Sequence, residues 1–246
     1  MFGPERHENL TAALPVGPKS AVVDLGCGNG ETLRAVAAQP DGPSRLVGVD
    51  VKGERFIGKR VEYVIADLKA RLPFGDESFD AAVCQNGIEC LAEPDVLITE
   101  AARSLMPGGY LLLGHSDFDT LVFSATDLAL TRRLVRHLCD TVQPFMTVAD
   151  GTISRRLTTL GRGSPMELMK TCARVEHHTT FAPDGPAYDA AMLVAADEWR
   201  DPALREHVDE WLADLDGQAR RKELLYSLND YAVLLRKPAA SLPSDG

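Results

Sequence analysis

A chain of 246 residues is long enough for one large α/β domain or for a domain with an insertion. Its 45% hydrophobic and 25% charged residues are those of an ordinary globular protein, and a formal net charge of -10 argues against DNA or bulk RNA as a partner, which needs a basic face. No apolar run reaches the length that spans a bilayer. Met1 to Arg6 lack the basic-then-apolar order of a signal peptide, so the expected location is the cytoplasm, with no membrane partner. Five cysteines (Cys27, Cys84, Cys90, Cys139, Cys172) form no C-x-x-C pair, which fits a reducing compartment without a disulfide framework.

The spacing of apolar residues predicts a short helix or ordered arm over Pro4 to Leu14, broken by Pro15-Val16-Gly17-Pro18. Ala21-Val22-Val23-Asp24-Leu25 then reads as a buried parallel strand. Gly26, Cys27, Gly28, Asn29 and Gly30 form a tight loop, and Thr32 to Ala37 has helix-forming composition. Cys27 reads as a small packing residue inside that loop. The dinucleotide fingerprint G-x-G-x-x-G would need its third glycine at position 31, where Glu31 stands. That spacing opposes a NAD-dependent oxidoreductase. Asp24 beside the loop suits the positive end of a ligand rather than a pyrophosphate.

Arg45 to Asp50 is the second strand and ends in an acid, 20 residues beyond Gly30. A carboxylate there accepts hydrogen bonds from both ribose hydroxyls of an adenosine ligand, and Val51 follows it. Val61 to Leu68 is a third strand, with Asp67 at its end. Leu72-Pro73-Phe74 precedes Ser78-Phe79-Asp80, and Phe79 to Cys84 is the fourth strand. Gln85-Asn86-Gly87 follows at the edge where open α/β sheets bind ligands. Pro94 to Leu105 is a helix stopped by Met106-Pro107-Gly108-Gly109, and Tyr110 to Gly114 is the fifth strand.

These motifs carry a resemblance. Asp24 with G-x-G-x-G at Gly26, Gly28 and Gly30, the L-P-F-x-x-x-S-F-D segment, and Arg103-Ser104-Leu105-Met106-Pro107-Gly108-Gly109 before a strand are similar to the class I S-adenosylmethionine-dependent methyltransferases, type-11 or ubiquinone-methyltransferase-like branch. The resemblance covers about the first half of the chain. It implies a doubly wound, seven-stranded, mostly parallel Rossmann-like sheet with a C-terminal antiparallel edge hairpin. It also implies S-adenosylmethionine as cofactor, held by Asp24, Gly26, Cys27, Gly28, Asn29, Gly30, Asp50, Val51, Asp67, Leu68, Gln85 and Asn86. In the family the acid at Asp67 meets the adenine amine, and Leu68 packs on the ring. The Asn/Asp-Pro-Pro-aromatic sequence of enzymes that methylate nucleic-acid bases is absent after the fourth strand.

His115-Ser116-Asp117-Phe118-Asp119-Thr120 comes directly after the predicted fifth strand, on the ligand-facing edge. Methyl transfer from a sulfonium needs alignment above all, and a base when the acceptor must lose a proton. His115 is the first candidate base, as an imidazole titrates near neutrality. Asp117 or Asp119 would orient it or bind a substrate ammonium. Asp117-x-Asp119 also permits a metal-dependent reading, but the rest of that pattern is missing, so no metal is expected. His177-His178 point to opposite faces of a strand and do not chelate. Phe118, Asp119 and Phe123 are the candidates for lining the substrate pocket.

Thr126 to Cys139 has helical periodicity, with Arg132, Arg133 and Arg136 as a solvated basic face. Ile153 to Leu160 and Pro165 to Cys172 read as short helices, and Ala173 to Phe181 as the sixth strand. Ala187 to Trp199 and Pro202 to Leu215 are amphipathic helices, and Asp230 to Arg236 is the final strand. About fifty residues between the last two strands exceed a hairpin loop. The organisation expected is an arm at 1–20, one methyltransferase domain at 21–238 with a helical substrate cover at about 182–228, and a disordered tail at 239–246. The function expected is methylation of a small molecule at nitrogen or oxygen, plausibly in secondary metabolism. The alternatives are a protein or RNA methyltransferase and a non-catalytic cofactor-binding regulator. The exposed face of the second-half helices serves either as a lid or as a homodimer contact.

Overall fold

The structure is a computed structural model that describes residues 4–52, 61–196 and 202–239. Trp199, the Arg200-Asp201 break and positions 240–246 of the expected tail lie outside them. Seven strands form one sheet in the order β3-β2-β1-β4-β5-β7-β6. They are β1 (Ala21–Leu25), β2 (Arg45–Asp50), β3 (Val61–Ile65), β4 (Phe79–Gln85), β5 (Leu105–Phe123), β6 (Glu167–His178) and β7 (Tyr226–Arg236). The first five run parallel to their neighbours, and β7 pairs antiparallel with both β5 and β6. The fold is therefore the doubly wound sheet with an antiparallel edge that the sequence implies.

The helices are α1 (Pro4–Thr11), α2 (Glu31–Ala37), α3 (Pro94–Ser104), α4 (Leu128–Asp140), α5 (Leu157–Gly163), α6 (Pro186–Val194) and α7 (Pro202–Arg220). Strand alternation divides the sheet's side chains between two faces. Val22, Ala81, Val83, Leu112 and Ala232 pack with Leu33 and Val36 of α2 and with Leu10 of α1. Val23, Val47, Ala82, Leu111, Leu113 and Val233 pack with Leu97, Ile98 and Ala101 of α3 and with Leu157 of α5. A further core stands at the ligand edge. There Leu121 and Phe123 from the end of β5 meet Tyr226 and Leu228 from the start of β7, with Leu134 of α4, Ala191 of α6 and Trp211 of α7.

Three elements differ from the sequence reading. The expected Pro165 to Cys172 helix is the first part of β6, extended because it pairs with Leu234 and Leu235 of β7. That strand has a neighbour on one side only and is exposed along much of its length, so its sequence carries no clean alternation. β5 does not stop at Gly114: pairing with β7 carries it through the polar cluster to Phe123. The predicted helix over Ile153 to Leu160 opens as a 3-10 turn at Ile153–Arg156, and α5 takes in the glycines expected to end it.

Candidate cofactor and acceptor site

The C-terminal ends of β1, β2, β3 and β4 bring the expected cofactor residues to one edge. The Gly26 and Cys27 amides both donate to the Val49 carbonyl, at 2.8 and 3.0 Å, so the loop folds back over β2. Gly26 (φ 81°) and Gly30 (φ 80°) are left-handed, a conformation that a side chain resists. A Cβ on Gly28 would meet nothing within 4 Å, so this part of the loop lies open to a ligand. Cys27 packs into the core, and burial first, then the Asp24 and Asp50 carboxylates, push its thiol well above the ordinary range.

Asp50 lies on the open side of that loop. Its Oδ2 accepts from the Gly28 amide at 2.9 Å and its Oδ1 from the Lys52 amide at 3.2 Å. Each carboxylate oxygen has a second lone pair, which leaves capacity for ribose hydroxyls. Val51 beside it is exposed. Asp67 comes two residues beyond Ile65, the register partner of Asp50, and is exposed, with Lys69 as its partner. Leu68 is buried, and its Cδ1 would lie 3.5 Å from a Cβ on Gly26, so it borders the glycine loop. Asn86 (φ 50°) turns out of β4, and its Oδ1 accepts from the Ser116 amide at 2.9 Å. Asn29 is exposed and donates to Glu31 Oε1 at 3.1 Å.

Asp24 is 1% exposed, and its Oδ2 has no hydrogen-bond partner. Burial first, then the charge of Asp50, push its carboxyl up to about 8. A buried carboxyl without a partner beside an open glycine loop is suited to a cationic ligand. S-adenosylmethionine carries such a charge, and the residues present fit it: an open backbone loop, an acid for the ribose, an acid and an apolar side chain for the adenine, and Asp24 near the positive end.

The catalytic candidates sit differently from expectation. His115 lies within β5, is 0% exposed, and points to the α3 face, its Nε2 3.9 Å from Glu89 Oε2 and its ring edge-on to Phe118 at 5.2 Å. It is sealed from the edge where an acceptor would lie. Asp117, expected to orient it, is bound on both oxygens by Arg155, at 2.7 and 3.0 Å. Asp119 is held by the same guanidinium at 2.8 Å. Phe123 is 2% exposed and packs against Trp211 and Tyr226, with ring centroids 5.3 and 5.4 Å away. Its ring is spent on the core rather than offered to a pocket. Phe118 is half-buried against the same core.

Sequence reasoning missed Glu89, which burial raises to about 7. Its signal was an acid in the apolar run Ile88-Glu89-Cys90-Leu91 after the fourth strand. It also missed a cavity on the α1 face lined by Leu10, Gln85, Cys172, Arg174, Asp230 and Tyr231. Gln85, Gly114, Ala232 and Cys172 form one register row across four strands; the Gln85 side chain lies over Gly114, and the small Ala232 and Cys172 leave the hollow.

The comparisons agree with this geometry. Residues 23–113 match the methyltransferase-domain family Methyltransf_11. An uncharacterised 37.1 kDa protein of transposon TN4556 from Streptomyces fradiae is 33% identical over 156 residues, covering 60% of this chain and 44% of that protein. A trans-aconitate 2-methyltransferase of Paracidovorax citrulli is 31% identical over 116 residues, 45% of this chain and 44% of its own length. This chain therefore spans less than half the length of either relative. The YcgJ protein of Bacillus subtilis shares the fold at 16% identity, with a TM-score of 0.60 over 96% of this chain and 100% of its own. Fold and loop together define the class, an α/β protein built around an adenosine-sulfonium cofactor. Residues 23–113 carry a methyltransferase domain of the type-11 family, and the site they form fits S-adenosylmethionine as its cofactor.

Proposed function

We propose that this protein methylates a small molecule, at nitrogen or oxygen, held on the α1 face between the arm and the helices at the ligand edge. The observation that carries the reading is the partnerless buried carboxylate of Asp24 beside the open glycine loop. The bound cofactor supplies an electrophilic methyl on a sulfonium. The protein's part is alignment and exclusion of water. Asp50 fixes the ribose, Asp67 the adenine amine, and Gln85 and Asn86 the approach to the methyl.

The helices α4, α6 and α7 act as the substrate cover, which extends the expected insertion by one helix. Support comes from the shared core that ties all three to the ends of β5 and β7. Such a cover favours a small substrate over a protein or RNA. A place in secondary metabolism, the cytoplasm as location, and a homodimer contact on the exposed helix faces belong to the same proposal. Among the described residues, no helix is long and apolar enough to cross a membrane.

The test is a calorimetric titration of the protein and of Asp50→Ala with S-adenosylmethionine, S-adenosylhomocysteine and NAD. Micromolar binding of both sulfur ligands, weakened by about a hundredfold or more in the variant through lost ribose hydrogen bonds to a charged group, supports the reading. Binding of NAD alone, or of none of the three, sinks it.

A further inference from the structure

The register row one step beyond the hollow is polar. Ser116, Asp230 and Arg174 are paired across β5, β7 and β6, on the same face as Gln85 and Ala232. Ser116 is committed to Asn86, and Asp230 is 9% exposed and already engaged. Arg174 is different. It is exposed at the rim of the cavity, and it makes no hydrogen bond or ion pair with another described residue. Asp230 stands directly opposite it, a pairing that ordinarily yields a cross-strand ion pair. No such pair within 4.0 Å forms here.

Gln85 closes the other end of the same hollow. It is 8% exposed, and its Oε1 is buried without a partner. Amide oxygen and nitrogen are interchangeable in such a side chain, so Gln85 brings either a donor or an acceptor to a ligand. It is the last residue of β4 and adjoins Asn86 and Gly87, and Gly87 backs onto Gly26 of the cofactor loop. The hollow thus starts beside the cofactor edge. It runs three strands away to a cation, about 14 Å at ordinary strand spacing.

Resting on the methyltransferase reading, we propose that this hollow is the acceptor site and that its acceptor is an organic anion, with a carboxylate or phosphate seated on Arg174 and the nucleophile beside Gln85. The net charge of -10 sharpens the point, because an anion approaching this protein needs a local cation to land on. Guanidinium is the side chain whose planar fork matches either oxyanion. Ala232 and Cys172, with Leu10 at the cavity wall, leave an apolar floor for the body of the molecule, and Gly114 makes room for the Gln85 amide that lies over it.

The test uses matched pairs that differ only in the anionic group: 4-hydroxycinnamate with its amide, 8-hydroxyoctanoate with octanol, and phenyl phosphate with phenol. Each is titrated calorimetrically into the full chain, with and without saturating S-adenosylhomocysteine. The expected result is that at least one anionic member binds about tenfold or more tightly than its neutral partner. Which anionic members bind separates carboxylate from phosphate. Arg174→Gln closes that gap, Arg174→Lys restores part of it, and S-adenosylhomocysteine binds both variants as it binds the parent. Ala232→Leu, which fills the hollow, weakens both members of a pair. Equal binding within all pairs, a gap that survives in Arg174→Gln, or no binding by any member while S-adenosylhomocysteine still binds would each overturn the proposal. Failure of S-adenosylhomocysteine to bind the parent protein instead removes the reading beneath it.

Discussion

The two ends of the ligand edge are built by opposite means. On the cofactor side the backbone does most of the work: left-handed glycines, amides turned onto one carbonyl, and an acid at or near the end of β1, β2 and β3. On the acceptor side no loop motif is present. Its shape comes from strand register, which sets Gln85, Ala232 and Cys172 around the hollow, beside a core of residues more than a hundred positions apart, Leu121 and Phe123 against Tyr226 and Leu228. A backbone-made site tolerates little change in local geometry but needs few partners. A core-made site tolerates side-chain exchange yet depends on every element that contributes to it. The cofactor side is the expected fixed part of the molecule, and the acceptor side the part that sets specificity.

The largest effect that separates the two belongs to Trp211. It is 2% exposed, stacks edge-on against Phe123, and donates from its indole nitrogen to Thr131 Oγ1 at 2.9 Å, joining α7 to α4. Trp211→Ala removes a buried aromatic and should cost about 3–5 kcal/mol. If the cap forms its own core, the loss falls there. Cofactor affinity then stays within a few-fold, while acceptor binding falls as far as the hollow leans on the cap through Tyr226 and Leu228 of β7. A calorimetric titration together with a melting curve checks this, and equal loss of both affinities would mean that the two regions are one cooperative unit.

Gly48 offers the reciprocal change with a smaller cost. A Cβ there would lie 2.8 Å from Cys27 Sγ and 3.3 Å from Leu33 Cδ1. Gly48→Ala must therefore push Cys27 and the loop that contains it, at about 1–3 kcal/mol. Cofactor affinity should fall by about tenfold while the cap melts as before. Unchanged affinity would show that the loop absorbs the shift.

This contrast also explains what could be read from the chain. The positions of Asp24, Asp50 and Asp67 are legible because each stands at or within a residue of the end of an apolar run before a turn, and the order β3-β2-β1 brings those strand ends to one edge. Cys27 read correctly as a packing residue, with Gly48 as its seat. His115 misled because polarity at His115-Ser116-Asp117 looks like the end of a strand. Only the pairing of that segment with Asn229, Asp230 and Tyr231 keeps it extended and turns the imidazole inward. Arg155 lies 38 positions from the Asp117 that it neutralises, and no local spacing announces such a partner. The hollow is the extreme case. Gln85, Gly114, Ala232 and Cys172 are ordinary residues until the register aligns them.

Asp24 sharpens the comparison through pH. Its folded value of about 8 lies above the ordinary 3.8, so the fold favours the protonated form. That contribution to stability is fully present below about 3.8 and is lost as pH rises through about 8. A cationic cofactor favours the ionised form instead. S-adenosylmethionine affinity should therefore rise by about tenfold between pH 6 and 8, with release of a proton visible as a buffer-dependent binding enthalpy. Asp24→Asn should flatten both the stability and the affinity profiles. A proton-independent enthalpy in the parent protein would place Asp24 outside the cofactor's field.

The smallest effect concerns the arm, which adds one ring to the packing of Leu10 and Leu14 on the α1 face. His7 is 8% exposed; its Nε2 lies 3.2 Å from Glu31 Oε2 and its Nδ1 3.1 Å from Thr32 Oγ1. An ionised carboxylate only accepts, so Nε2 carries a proton toward Glu31. The hydrogen bond from His7 is the main reason that the Glu31 carboxyl is held down at about 2, against an ordinary 4.5. A depressed acid stabilises the fold above its unfolded value and loses that contribution as pH falls through the folded one. His7→Ala should therefore cost about 1 kcal/mol and lower the melting temperature by about 2–4 °C. The difference should be widest above pH 4.5 and close toward pH 2. A melting difference that stays constant across that window would mean that the arm is held by Leu10 packing and not by the imidazole.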